Sequence, residues 1–168
     1  RPMEEGGWYP PPILAGFGAA AGSAQLLGLS APQLRDALSL ALCQVTMPGE
    51  IKHSPGTVIR AVREAFPAQA AVQAALLARG GVSGFEEPLE GKAGFFALYA
   101  GGQFDAEALL AGPTGGWWIE QLTFKPWPSC RGTHPFIALA LNLRRQLATP
   151  AASIARIAVR HDAVQTML

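Results

Sequence analysis

The chain has 168 residues, 49% hydrophobic and 15% charged, with a formal net charge of +1, which is the composition of a globular protein able to bury one core. Its Lys and Arg residues are scattered rather than striped, which excludes a nucleic-acid binder, and no run of like charge marks a membrane surface. Cys43 and Cys130 lie far apart in no CxxC or HxxxH spacing, so the expectation is free thiols in a reducing compartment, with no metal site and no disulfide framework.

Apolar runs such as ILAGFGAAAGSAQLLGL are broken by Gly, Ser and Gln before they reach the roughly 20 residues needed to span a bilayer. No signal peptide opens the chain, which favours the cytoplasm. The sequence starts at Arg1 without an initiator Met and stops in QTML just after a strand-like stretch, so a fragment of a longer protein is expected.

In chain order, residues 1–10 are irregular, and the prolines at 10–12 then open a small-residue, buried helix that Gly28 stops. Ser30 followed by Gln33 forms a capping box ahead of Leu34, Ala37, Leu38, Ala41, Leu42 and Val45 at helical spacing. MPGEIKHSPG is a loop whose Lys52 and His53 have no evident structural duty. From Thr57 to Gly80 the spacing is helical but contains Pro67, which predicts two helices or one kinked helix. GVSGFEEPLEG is a loop, GFFALYAGG a short helix, and DAEALLAG another with Asp105 as its cap.

After GPTGG the character changes. WWIEQLTFKPW alternates as a strand would, THPFIALALNLRRQL is an amphipathic helix with Thr133 as its cap, and IARIAVRHDAV returns to period two. The expected fold is therefore mainly α: an all-helical part over residues 1–115, then the beginning of an α+β part over 116–168. So short an α+β segment cannot bury a stable core alone, which again points to a fragment.

No phosphate-binding loop, nucleophile elbow or carboxylate pair is present. The chemistry-bearing stretch is KPWPSCRGTH. Lys125 follows a strand-like run and precedes Pro126; it can bind a carboxylate or transfer a proton, or be a solvated surface lysine. Arg131 and Thr133 stand at a helix start, where unpaired N–H groups favour an anion, although Thr133 can equally be a cap alone. His134 lies in the first turn, where the helix dipole favours a neutral ring able to act as base or hydrogen-bond donor. Cys130 has no identifiable partner base and reads as passive, and His161 as a surface residue. The pattern alone implies a cationic turn suited to a small anionic ligand.

GWYPPPILAGFGAAAGSAQLLGLS, AAVQAALLARGGVSG, LEGKAGFFALY and FKPWPSCRGTHPFIALAL, in this order and at these intervals, resemble the MmgE/PrpD family over essentially the whole chain. That family includes 2-methylcitrate dehydratase, cis-aconitate decarboxylase and an iminodisuccinate epimerase. The resemblance implies a longer two-domain protein, usually a homodimer, with a large helical domain and a smaller α+β lid. Family members use no metal or organic cofactor. They abstract a proton next to a carboxylate of a small di- or tricarboxylate, in a cleft between the domains, and then lose water, lose carbon dioxide or return the proton.

On this resemblance Lys125 falls on an active-site lysine and His134 on a histidine of the same motif, while Arg131 and Thr133 fit as substrate binders. Tyr9 stands where dehydratase-like members have a catalytic histidine, and Arg60 where the family has a lysine. Arginine binds carboxylate bidentately but stays protonated, whereas Tyr9 can still transfer a proton. The family's early aspartate and histidine region has no counterpart here, so the fragment itself is expected to be inactive. Two functions follow as expectations: a cofactor-independent lyase or isomerase of a small polycarboxylate, or a helical binding or scaffold protein of the same family that has lost its chemistry.

Overall fold

In the computed structural model, which describes residues 2–112, 117–148 and 150–161, helices form wherever the spacing predicts them. One further turn, α1 (Pro2–Glu5), lies in the segment expected to be irregular. The chain divides into two compact units, Arg1–Leu110 and Ala111–Leu168.

The first unit is built on α2 (Pro10–Leu26), α3 (Ala31–Leu42) and α5 (Ala65–Arg79), which pack on one another. Proline in the first turn of α2 removes N–H groups that would have no helical partner. The helix ends at Gly28, whose φ of +67° suits a residue without Cβ. There Leu29 N–H reaches Ala24 O and Gly28 N–H reaches Gln25 O, both at 3.0 Å, closing off two otherwise open carbonyls. The capping box opens α3 as predicted: Ser30 N–H donates to Gln33 Oε1 and Gln33 N–H to Ser30 Oγ.

Alanine lets these helices approach closely. Ala20 of α2, Ala41 of α3, and Ala71 and Ala74 of α5 are fully buried in one cluster with Ile13 and Val45, and Ala24, Ala37 and Ala78 form a second. At Gly16 an added Cβ would lie 2.8 Å from both Val45 methyl carbons and 3.0 Å from Pro67 Cβ, so the contact needs glycine.

The predicted break near Pro67 is present, with α4 (Ile59–Val62) and α5 separated at Arg63 and Glu64. Pro67 itself is buried in the first turn of α5, where its missing N–H costs nothing. The loop after α5 is fastened to α3: Gly84 N–H donates to Asp36 Oδ1 and Phe85 N–H to Ser39 Oγ, both at 2.9 Å. Ser39 is buried and shares its own proton between Arg35 O and Phe85 O, so its hydroxyl is satisfied in both roles.

Helix α6 (Phe95–Ala100) adds an aromatic cluster to the core. Phe95 meets Phe17 edge to face, and Tyr99 meets Trp8 in the same way. The Tyr99 hydroxyl donates to Val45 O at 3.1 Å, and burial pushes its phenol above the usual value of 10.0, which keeps it a donor. Helix α7 (Ala106–Leu110) is capped by Asp105, whose carboxylate accepts from Ala108 N–H at 3.0 Å.

The second unit holds a 3-10 turn at Trp118–Gln121, another at Arg131–Thr133 running directly into α8 (His134–Gln146), and a third at Ala151–Ser153. Here the strand expectations need correction. Among the described residues no strand forms: 122–125 and 154–161 carry no ladder, and the end of the second expected strand lies outside the described residues. Alternating polarity specifies which face would be buried, but a strand needs a partner for its N–H and C=O groups. Leu122 is 72% exposed and Phe124 fully so, with neither a partner strand nor a packing surface. Among the described residues the chain is thus mainly α, and no helix is long and apolar enough to cross a membrane.

Candidate functional site

In the first unit the residues preceding α2 are clipped to the loop that follows α3. Tyr9 N–H donates to Met47 O at 2.8 Å, Gly49 N–H donates to Gly7 O at 2.7 Å, and Trp8 and Pro48 form an antiparallel bridge. The approach leaves no room for a side chain at Gly49, where a Cβ would lie 2.8 Å from Gly7 O. Gly7, at φ +82°, supplies the turn.

This clip registers Tyr9 against two cations. Lys52 Nζ stands 5.7 Å from the centre of the Tyr9 ring and Arg63 Cζ 5.9 Å from it, both within cation–π range. Arg63 is itself held, its Nε 2.9 Å from Glu64 Oε1 and its Nη1 donating to Arg60 O. Lys52 Nζ lies 3.6 Å from Glu4 Oε1. Beside this cluster opens a cleft of about 380 Å³ lined by Glu4, Trp8, Lys52 and His53 among others.

In the second unit the stretch KPWPSCRGTH folds as a turn leading into α8. Lys125 is exposed and has no hydrogen bond or ion pair among the described residues. Arg131 Nη2 donates to Thr123 Oγ1 at 3.1 Å, tying the turn to the extended segment before it. His134 opens α8 with its ring edge-on to Trp127 at 5.2 Å, and its Nε2 is shielded from solvent without a hydrogen-bond partner. A shielded imidazole nitrogen left unpaired is uncommon in folded proteins.

Thr133 is corrected as a cap. It occupies the N-cap position of α8 but has helical backbone angles and makes no side-chain capping bond. Because the Arg131–Thr133 turn is continuous with α8, the Thr133 hydroxyl bonds backwards, donating to Cys130 O at 2.7 Å and accepting from Ser129 Oγ at 2.8 Å. Cys130 and Cys43 are free and exposed. No group of three or more His, Cys, Asp or Glu side chains that could hold a metal ion occurs among the described residues.

The predicted residues thus fall into two sets, Tyr9 and Arg60 in the first unit and Lys125, Arg131, Thr133 and His134 in the second. Within the first set it is Arg63, not singled out from the sequence, whose guanidinium meets Tyr9, while the exposed Arg60 contributes its carbonyl to holding Arg63. Lys52 was visible as a charged residue in a Pro and Gly loop, but its place beside Tyr9 comes from the backbone clip, which leaves no local pattern.

The sequence model of the MmgE/PrpD N-terminal domain matches residues 1–107. Cis-aconitate decarboxylase from Homo sapiens is 28% identical over 165 residues, covering 94% of this chain and 33% of the relative. The Mus musculus protein of the same name is 28% identical over 172 residues, with the same coverage. The chain therefore spans about a third of the length of the curated relatives it matches. No solved structure matches. Because that model matches residues 1–107, more than half of the chain, this chain belongs to the MmgE/PrpD family.

Proposed function

We propose that the full-length protein is a cofactor-independent lyase or isomerase of a small di- or tricarboxylate, working as a homodimer in the cytoplasm. The observation that carries this reading is the likeness to two decarboxylases of cis-aconitate across 94% of the chain. The pairing of Tyr9 with Lys52 and Arg63 supports it.

The chemistry makes two demands. A proton must leave a carbon next to a carboxylate, with its electron pair passing into that carboxylate, and the dianionic intermediate must be stabilised by fixed positive charge. Arg63 and Arg60 suit carboxylate binding, because guanidinium meets carboxylate in a bidentate fork and remains charged. Tyr9, which stands where a histidine is expected, keeps a proton-transfer group at that position. Lys125 and His134 are assigned the remaining acid and base roles, with Arg131 and Thr133 as substrate contacts. The intermediate then expels hydroxide, which leaves as water once protonated, or regains the proton on the opposite face. Decarboxylation uses the same stabilised carbanion, formed by loss of carbon dioxide and quenched by a proton.

The test is to incubate the full-length protein with a panel of polycarboxylates, cis-aconitate and citrate-like acids included, and to follow them by proton NMR. Consumption of one of them is expected, and the product identifies which bond breaks. Tight binding of these acids with none consumed would favour the binding-protein reading, which the substitutions at Tyr9 and Arg60 keep in view.

A further inference from the structure

The cleft beside Tyr9 contains a cation that the catalytic assignment leaves unused. We propose that Lys52 is a specificity contact for a second carboxylate group of the substrate, and that Glu4 holds its place until that group arrives. This rests on the polycarboxylate reading above and adds to it a residue, a site and a displaced partner.

Three observations lead there. First, Lys52 is positioned by backbone rather than by its own packing: the short 3-10 turn Gly49–Lys52 is anchored by the Gly49 bond to Gly7 O, in register with Tyr9. A lysine whose backbone is fixed relative to a site residue has its ammonium within reach of the site. Second, its pair with Glu4 is loose. At 3.6 Å the separation is well beyond the roughly 2.7–2.9 Å of a charge-assisted hydrogen bond, and both side chains remain partly exposed, at 27% and 29%. Such a pair contributes little to stability and is readily exchanged. Third, both partners line the same 380 Å³ cleft, together with Trp8 and His53, so a ligand there reaches Lys52 directly.

Two other carboxylates near this point have partners of their own. Glu50 accepts from Ser54 Oγ at 2.9 Å, and Glu64 is held by Arg63. Glu4 is the carboxylate that faces the Lys52 ammonium, and so the one a ligand's carboxylate displaces from it. An incoming carboxylate replaces it on the ammonium without leaving either charge buried, because both side chains are partly exposed where they line the cleft. Lys52 and Arg63 stand 5.7 and 5.9 Å from the centre of the Tyr9 ring, and of the two it is Lys52 that lines the cleft, so the second carboxylate falls to Lys52.

The experiment is calorimetric titration of the full-length protein with propane-1,2,3-tricarboxylate, which carries no leaving group. Lys52→Met is expected to weaken binding by about 10-fold or more, Lys52→Arg to restore it to within about 3-fold, and Glu4→Gln to tighten it by about 3-fold. Melting temperatures report whether each variant folds. Should Lys52→Met fail to fold, the Glu4→Gln titration decides alone. Wild-type affinity in Lys52→Met, or unchanged affinity in Glu4→Gln, overturns the proposal while leaving the polycarboxylate reading standing. No binding by the wild-type protein overturns both.

Discussion

Lys125→Ala is expected to lower turnover of the full-length protein by at least about 100-fold while leaving its melting temperature unchanged. The two halves of this prediction have separate physical origins. Lys125 is exposed and makes no hydrogen bond or ion pair among the described residues, so its removal costs the fold no more than about 0.5 kcal/mol. Its backbone, by contrast, is constrained by Pro126, which restricts the preceding residue to extended conformations and so fixes where the side chain starts. A lysine that does nothing for stability and keeps its ammonium unpaired is available for a proton-transfer or carboxylate-binding role. Lys125→Arg separates these roles: it keeps the charge but does not release a proton, so a lysine acting by proton transfer loses kcat with little change in KM. Steady-state kinetics with thermal melts measure both, and unchanged turnover in Lys125→Ala would remove the residue from the mechanism.

The largest expected effect on stability lies elsewhere, at Gly84. Gly84→Ala would drive its new Cβ into Ser39 Cβ, to within 2.6 Å of Ser39 Oγ and 3.2 Å of Asp36 Cα. Neither neighbour can give way, because Ser39 is 1% exposed and both belong to α3, which is packed against α2 and α5. The loop must lift instead, breaking the 2.9 Å bonds from Gly84 N–H to Asp36 and from Phe85 N–H to Ser39. Overpacking and the loss of these part-buried hydrogen bonds together give a loss of about 3 kcal/mol, read as a drop in melting temperature of the order of 10 °C. Gly18→Ala is the matched control: it lies within α2 with nothing within 4 Å of the added Cβ. There the higher helix propensity of alanine is expected to stabilise by up to about 1 kcal/mol. A Gly84→Ala protein that melts with the wild type would contradict the fastening of this loop.

These contrasts also show which parts of the structure the sequence makes readable. The start of α3 is written in two residues, Ser30 and Gln33, and the end of α2 in Gly28, because caps and left-handed turns are local and depend on particular side chains. The break before α5 follows from proline chemistry in the same way, although its placement at Arg63 and Glu64 does not. The strand expectations had no such local anchor. Period-two alternation in Leu122 and Phe124 fixes two faces but not a partner, and pairing is a property of the whole fold. Thr133 failed as a cap for a related reason: the turn before α8 is already helical, so its hydroxyl finds Cys130 O first.

For the site, Tyr9 stood out through its motif, and Lys125 and His134 through a crowded polar turn. The meeting of Tyr9 with Lys52 and Arg63 was not legible. It depends on two backbone hydrogen bonds between segments some forty residues apart and on the turn that separates α4 from α5. Residues that converge through loops in this way carry no periodic signal, and only the folded chain brings their charges together.

The central claim is proton chemistry next to a carboxylate, and solvent hydrogen exchange tests it most directly. The full-length protein, incubated in heavy water with each candidate polycarboxylate, is predicted to place solvent deuterium on a carbon adjacent to a carboxylate of one of them, in recovered substrate or in product. Binding of those acids with no deuterium incorporated into any would contradict the account.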